Sequence, residues 1–309
     1  MKALEINGLK KTYDNDYVAL DGVNLTVDKG DFFALLGPNG AGKSTTIGII
    51  SSLINATAGT VKVHGHNLST QRNQCKLLIG LVPQEINFNV FESPLNILVT
   101  QAGYYGIPKA VALERAGRYL KLLYLWDKKD RPASEMSGGM KRRLMIARAL
   151  VHKPSVLILD EPTAGVDIEI RRAMWSFLED INRDGTTIIL TTHYLEEAET
   201  LCRHVAIIDD GRIIEQGQVG ELLSRSQFHS FVFDLQQAPD EPPQLQGFRV
   251  TRCEGTRLDV EVPLGDSLNA LFEQLGSLGI QVVSMRNKTN RLEEFFLRLV
   301  GGDDRQESE

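Results

Sequence analysis

The stretch Gly37-Pro38-Asn39-Gly40-Ala41-Gly42-Lys43-Ser44-Thr45 has the residue types needed to hold a chain of phosphates. Glycines let successive backbone N–H groups turn inward around phosphate oxygens. Lys43 supplies a cation that can reach β- and γ-phosphates, and the Ser44 hydroxyl can ligate Mg²⁺. Further on, the apolar run Val156-Leu157-Ile158-Leu159 stops abruptly at Asp160-Glu161-Pro162. Paired acids at the end of a buried strand cost free energy unless something uses their charge. Beside a triphosphate, one can hold Mg²⁺ directly or through water, and the other can accept a proton from attacking water. Two more apolar runs end in useful polar side chains. Ile79 to Pro83 leads into Gln84, where a γ-phosphate or metal ligand would sit, and Thr187 to Thr192 leads into His193. Ser137-Gly138-Gly139 reads as an N-cap with free N–H groups at a helix start, which is an anion site. These residues predict a nucleoside triphosphate as ligand.

Such chemistry needs elements to carry it. Phe32 to Leu36 reads as a short buried strand before the glycine-rich turn, and Thr46 to Ile50 as the start of the helix after it. Leu4–Leu9 and Gly22–Val27 alternate like antiparallel strands with one buried face. Tyr13 and Tyr17, between them, either stack on a nucleobase or cover a surface turn. Gly59 to His66 reads as strand and turn, and His64 and His66 lack further ligands at metal-binding spacing. From Phe88 to about Ala133 the pattern turns helical, with Ser93-Pro94 as a cap and first turn. Leu95, Leu98, Val99 and Ala102 make one apolar stripe; Leu113, Ala116, Leu120 and Leu123 make a second. Tyr104, Tyr105 and Tyr124 read as packing residues. The helix after Ser137 carries Leu144, Ala147 and Leu150 and stops at Pro154.

The chain has 309 residues, enough for about two domains with separate cores. A net charge of −6 gives no electrostatic case for nucleic acid or anionic lipid as the main partner. Cys75, Cys202 and Cys253 are scattered, as incidental thiols in a reducing compartment are. Met1 to Lys11 lacks the apolar core of a signal peptide, and no apolar run approaches the ~20 residues of a membrane span. Service to a membrane would therefore run through another polypeptide, from the cytosol.

The ordered set Gly37 to Thr45, Gln84, Ser137-Gly138-Gly139, Asp160-Glu161, Asp167 and His193 resembles the nucleotide-binding subunit of ATP-binding-cassette (ABC) transporters. The resemblance covers residues 1–222. The wording Met136 to Leu144 is similar to the subgroup that drives bacterial export of drugs, polysaccharides and nodulation factors, and to the large eukaryotic lipid exporters. Met136 and Met140 stand where the usual signature has Leu and Gln, a departure that spares the Ser-Gly-Gly clamp. The implied fold is α/β: a P-loop ABC ATPase with a RecA-like core, an antiparallel β subdomain and a helical subdomain at about 88–152. The implied ligands are ATP and Mg²⁺. Tyr13 matches the aromatic that stacks on adenine. Lys43 would hold the β- and γ-phosphates, Ser44 and Asp160 would serve Mg²⁺, and Gln84 would sense metal and attacking water. Glu161 would be the general base, and His193 would contact the γ-phosphate. Ser137, Gly138 and Gly139 would clamp ATP bound to a second copy, with Asp167 linking the two sites. The implied partners are that second copy and an integral membrane permease, met at the cytoplasmic face of the membrane through Glu85 to Phe91, with Phe88 and Phe91 exposed.

No Asn-Lys-x-Asp motif supports a GTPase. Soluble relatives in DNA repair or translation carry coiled-coil insertions, zinc motifs or tandem cassettes, none of which is visible, and paired Asp160-Glu161 argues against a module that binds without turnover. Residues 223–309 read as a small α+β extension. Strands are expected at 230–235, 248–253, 258–262 and 280–285, with helices at 268–278 and 290–300, the last capped by Asn290. The tail from Gly301 reads as disordered.

Overall fold

Alternating apolar residues set Lys2–Thr12 (β1) and Val18–Asp28 (β2) side by side as an antiparallel pair with one face buried. In this computed structural model, residues 1–224, 228–263, 265–288 and 291–301 are described; Asn290 and the tail beyond 301 lie outside them. The chain continues with Phe32–Leu36 (β3), Lys43–Ile50 (α1), Ala58–Val63 (β4), His66–Asn67 (β5), Arg72–Leu78 (α2) and Ile79–Val82 (β6). Three helices follow, Pro94–Tyr104 (α3), Lys109–Leu122 (α4) and Gly138–Leu150 (α5), and they pack on one another. Then come Val156–Asp160 (β7), Ile168–Arg183 (α6), Thr187–Thr191 (β8), Leu195–Leu201 (α7), His204–Asp209 (β9) and Arg212–Gln218 (β10).

A four-stranded sheet, β2-β1-β4-β5, faces a six-stranded one, β10-β9-β3-β8-β7-β6. Strands β9, β3, β8, β7 and β6 run parallel, and their unbroken apolar sequences fit burial on both faces. One core joins the sheets, with Leu4, Ile6, Val23 and Val61 from the first meeting Phe33, Leu35, Ile158 and Ile189 from the second. Each such side chain contributes about 1.5–3 kcal/mol by leaving water.

Four details depart from the expectations. The Ser93 cap, accepting from Asn96 N–H, and the start at Pro94 are as expected, but residues 88–92 before them are irregular rather than helical. In the second stripe Ala116, Leu120 and Leu123 are buried as expected, but Leu113 is exposed and Ala112 takes its place. Tyr104 and Tyr124 are 81% and 78% exposed and pack little, because each sits at the end of its helix, beyond the buried face. Phe91 is exposed, but Phe88 is half-buried.

The chain divides into two compact units after Gly217. The second holds Val219–Ser224 (α8), Phe228–Leu235 (β11), Arg249–Glu254 (β12), Arg257–Pro263 (β13), Leu268–Ser277 (α9), Val282–Asn287 (β14) and Arg291–Gly301 (α10). Its sheet is antiparallel, in the order β12-β13-β11-β14. Leu271 and Leu275 of α9 complete a separate core with Phe231, Phe233, Leu258 and Val260. Helix α8 packs on α10, which is why it belongs to this unit.

Candidate nucleotide site

The order β3-β8-β7-β6 sets four strand ends in a row, although they are far apart in the chain. Because these strands are parallel, all four carboxyl ends open on one edge, where ligands of such sheets bind. The row brings together the loop Gly37–Gly42, then His193, then Asp160-Glu161, then Gln84.

The loop is held tightly. A Cβ on Gly37 would lie 2.2 Å from the Ile208 carbonyl oxygen. One on Gly42, at φ 110°, would lie 2.7 Å from Leu20 Cδ2 and 2.8 Å from the Ala19 carbonyl oxygen. Helix α1 starts from Gly42 with no side-chain cap and no acid in its first turn, so its N–H groups remain for an anion. Lys43 is buried, and its Nζ donates to the Gly37 and Pro38 carbonyls at 2.7 and 2.9 Å. Burial lowers its pKa, while the carboxylates of Glu161 and Asp160 favour its charge. Ser44 is exposed beside it. Tyr13 borders the loop, with its hydroxyl 3.4 Å from that of Thr45 and Lys11 Nζ 4.8 Å above its ring. Tyr17 stacks with it at 6.4 Å and donates to the Gly40 carbonyl at 3.3 Å.

At the end of β7, burial raises the pKa of Asp160, while a hydrogen bond donated by the Thr191 hydroxyl opposes that shift. Glu161 has φ 49°, a left-handed conformation that costs about 1–3 kcal/mol in a non-glycine residue and clusters at functional sites. Its N–H holds the turn by donating to Thr191 O at 3.0 Å and Thr191 Oγ1 at 3.2 Å. Gln84 Nε2 lies 3.0 Å and His193 Nδ1 3.3 Å from the same oxygen, Glu161 Oε2. Hard oxygen donors from Ser44, Gln84 and Asp160 suit Mg²⁺, whose positive charge would also stabilise the half-buried Asp160 carboxylate.

Ser137, Gly138, Gly139 and Asp167 are not drawn into this row. Ser137 caps α5 by accepting from Met140 N–H at 3.3 Å, and Asp167 caps α6 by accepting from Ile170 N–H at 3.0 Å. A Cβ on Gly139 would lie 3.4 Å from Ile170, so these two helix starts share one surface. Among the described residues no hydrogen bond ties either to the phosphate loop. Sequence reading missed two neighbours of the acids. Thr191 looks like an ordinary strand residue. Arg142, which donates to the Pro83 carbonyl at 3.0 Å, looks like part of a solvated basic run.

A glycine loop at a helix start, a lysine, paired acids and a histidine along one parallel sheet edge define a P-loop nucleoside triphosphatase. The family model for the ABC transporter matches residues 20–164. The chain is 34% identical to Nod factor export ATP-binding protein I of Ralstonia nicotianae, over 98% of this chain and 95% of that protein. It is 39% identical to the linearmycin resistance ATP-binding protein LnrL of Bacillus subtilis, over 72% and 73%. Among solved structures it is similar to the ATP binding subunit of an ABC transporter, at TM-score 0.67 and 28% identity, covering 72% of this chain and 92% of that one. It is also similar to a dimeric cassette in a post-hydrolysis state bound to ADP and Pi, at TM-score 0.64 and 26% identity, covering 70% and 98%. The chain belongs to the ABC transporter family, as an ATP-binding, ATP-hydrolysing subunit of its export subgroup.

Proposed function

We propose that this subunit hydrolyses ATP as a pair of copies and drives a separate integral membrane permease, bound peripherally at the cytoplasmic face of the membrane. The cassette is the first compact unit, Met1–Gly217, five residues short of the expected 222, and the second unit is an accessory domain. Among the described residues no helix is long and apolar enough to cross a membrane. One relative is named for Nod factor export and the other for linearmycin resistance, which fits cargo choice in the permease rather than in the shared ATPase.

In this reading Gly37 to Thr45 cradle the phosphates, Lys43 binds the β- and γ-phosphates, and Tyr13 stacks on adenine. Ser44, Gln84 and Asp160 hold Mg²⁺, which when bound neutralises charge on the phosphate oxygens. Glu161 takes the proton of the attacking water. Gln84 orients that water, and His193 contacts the γ-phosphate while its other contact steadies Glu161. Ser137, Gly138 and Gly139, with Asp167, complete the site of the second copy, since their shared surface is separate from the chain's own phosphate loop. The observation that carries the reading is the meeting of Gln84 and His193 on one oxygen of Glu161. The test is Glu161→Gln: turnover should drop by at least about 100-fold, the size of a general-base contribution, and an ATP-bound dimer should accumulate on gel filtration. Near-normal turnover would remove Glu161 as base.

The permease would dock in a cleft of about 550 Å³ lined by Leu53, Leu77, Tyr104, Tyr105, Arg148 and His152. Its rim includes Asn87, tied to Arg148 at 2.7 Å, from the irregular segment that carries Phe91. Apolar and aromatic groups left open in one cleft suit an apolar helix. Phe91→Ala should weaken co-purification with the permease from detergent-solubilised membranes and leave ATP affinity unchanged. Undiminished co-purification would move the contact elsewhere.

A further inference from the structure

Glu197 of α7 is 1% exposed, and nothing above gives it a task. Both of its oxygens are used. Oε1 accepts from Trp175 Nε1 at 2.9 Å and from the Thr163 hydroxyl, and Oε2 accepts from the Thr192 hydroxyl at 2.6 Å. The donors come from three separate segments. Thr163 lies in the loop between Glu161 and Asp167, Trp175 lies on the helix that Asp167 caps, and Thr192 immediately precedes His193. Thr192 Oγ1 in turn accepts from Tyr194 N–H at 2.9 Å, so the polar chain brackets His193 on both sides. A parallel tie reinforces it: Arg171 donates to the Val166 carbonyl at 3.3 Å and lies 4.2 Å over the Tyr194 ring.

All three donors to Glu197 are neutral. A buried carboxylate held only by neutral donors carries a desolvation cost that an apolar side chain of similar volume would avoid. Stability alone is therefore a poor reason for it. We propose that Glu197 is a positioning residue: its carboxylate locks the Glu161–Asp167 loop to the turn that presents His193. The base and the imidazole keep their register through it, and displacement of the Asp167 loop by a second copy is transmitted to His193. This rests on the reading of Glu161 and His193 given above.

The test is Glu197→Gln, which keeps the shape but offers an amide N–H₂ where a hydroxyl needs an acceptor. Its kcat should fall about 30-fold, as for misplacement of a reacting group, with KM and ATP dissociation constant within about threefold of wild type. Thr192→Val should do the same and Thr192→Ser should restore turnover, which keeps the test decisive if Glu197→Gln fails to fold. Unchanged kcat in folded Glu197→Gln and Thr192→Val would overturn the inference. So would a loss of kcat matched by equal losses of ATP affinity and thermal stability. Glu161→Gln assayed alongside separates the two readings. If it abolishes turnover while the Glu197 and Thr192 variants do not, only the positioning role fails; if it retains turnover, the base assignment fails.

Discussion

Gly40 and Gly42 sit two residues apart in the phosphate loop, both at positive φ, yet substitution should cost them very differently. At Gly40, φ 85°, an added Cβ meets nothing within 4 Å, so Gly40→Ala bears only the left-handed penalty of about 1–2 kcal/mol. At Gly42 the same methyl strikes both Leu20 and the Ala19 carbonyl, adding about 1–3 kcal/mol of overpacking. Thermal melts without nucleotide should show Gly42→Ala lower than Gly40→Ala by several degrees, and only Gly42→Ala should also displace the start of α1 and lose ATP affinity. Equal melting points would mean that the loop relaxes freely around Gly42. The residues of this site were legible where an apolar run stops at a polar side chain, as at Asp160, Gln84 and His193, because burial leaves few other reasons for that pattern. Glu197 was not legible. It lies in a polar helix between other acids, and its three donors are 5 to 34 positions away in the chain.

The elements around the cleft carry a pH dependence of their own. His152 follows α5 and stacks face to face on Tyr105, with centroids 3.7 Å apart and planes 5° from parallel. Its Nε2 meets the Ile79 carbonyl at 3.0 Å, while its buried Nδ1 has no partner among the described residues. Burial pushes its pKa down to about 4; the Ile79 hydrogen bond opposes that and the Arg115 charge adds to it. The unfolded chain takes up this proton near pH 6.5 and the folded one only near 4. The contribution of neutral His152 is therefore whole above pH 6.5 and drains away between 6.5 and about 4, by roughly 3 kcal/mol in all. Denaturant midpoints of the wild type should fall across that window, and those of His152→Gln should fall less steeply; parallel curves would place the titration elsewhere. Fold at this scale was legible through period: alternation gave β1 and β2, and continuous apolar runs gave β3, β7 and β8. The failures came at surfaces. Phe88 and Tyr104 could not be sorted by type, because an aromatic that packs inward and one left open for a partner have the same hydropathy.

Across the whole molecule, a nucleotide site in one unit and a self-contained core in the other make a definite thermodynamic pattern. Every side chain assigned to ATP lies within Met1–Gly217, and the second unit closes its own core around Phe233, Leu258 and Leu271. In that unit Asp259 is fully buried between Arg257 at 2.8 Å and Lys288 at 3.1 Å, a pairing that a separately folded sheet can satisfy internally. A ligand stabilises only the cooperative unit that binds it, by RT ln(1 + [L]/Kd), or about 2.7 kcal/mol at 100 times Kd. Calorimetry of the full chain should therefore resolve two transitions, and ATP with Mg²⁺ should raise one of them by several degrees while the other stays in place. A fragment of residues 218–309 should reproduce the unmoved transition. A single transition that shifts as a whole would mean that the two units unfold as one, and a nucleotide-bound cassette would then stabilise its extension as directly as it stabilises itself.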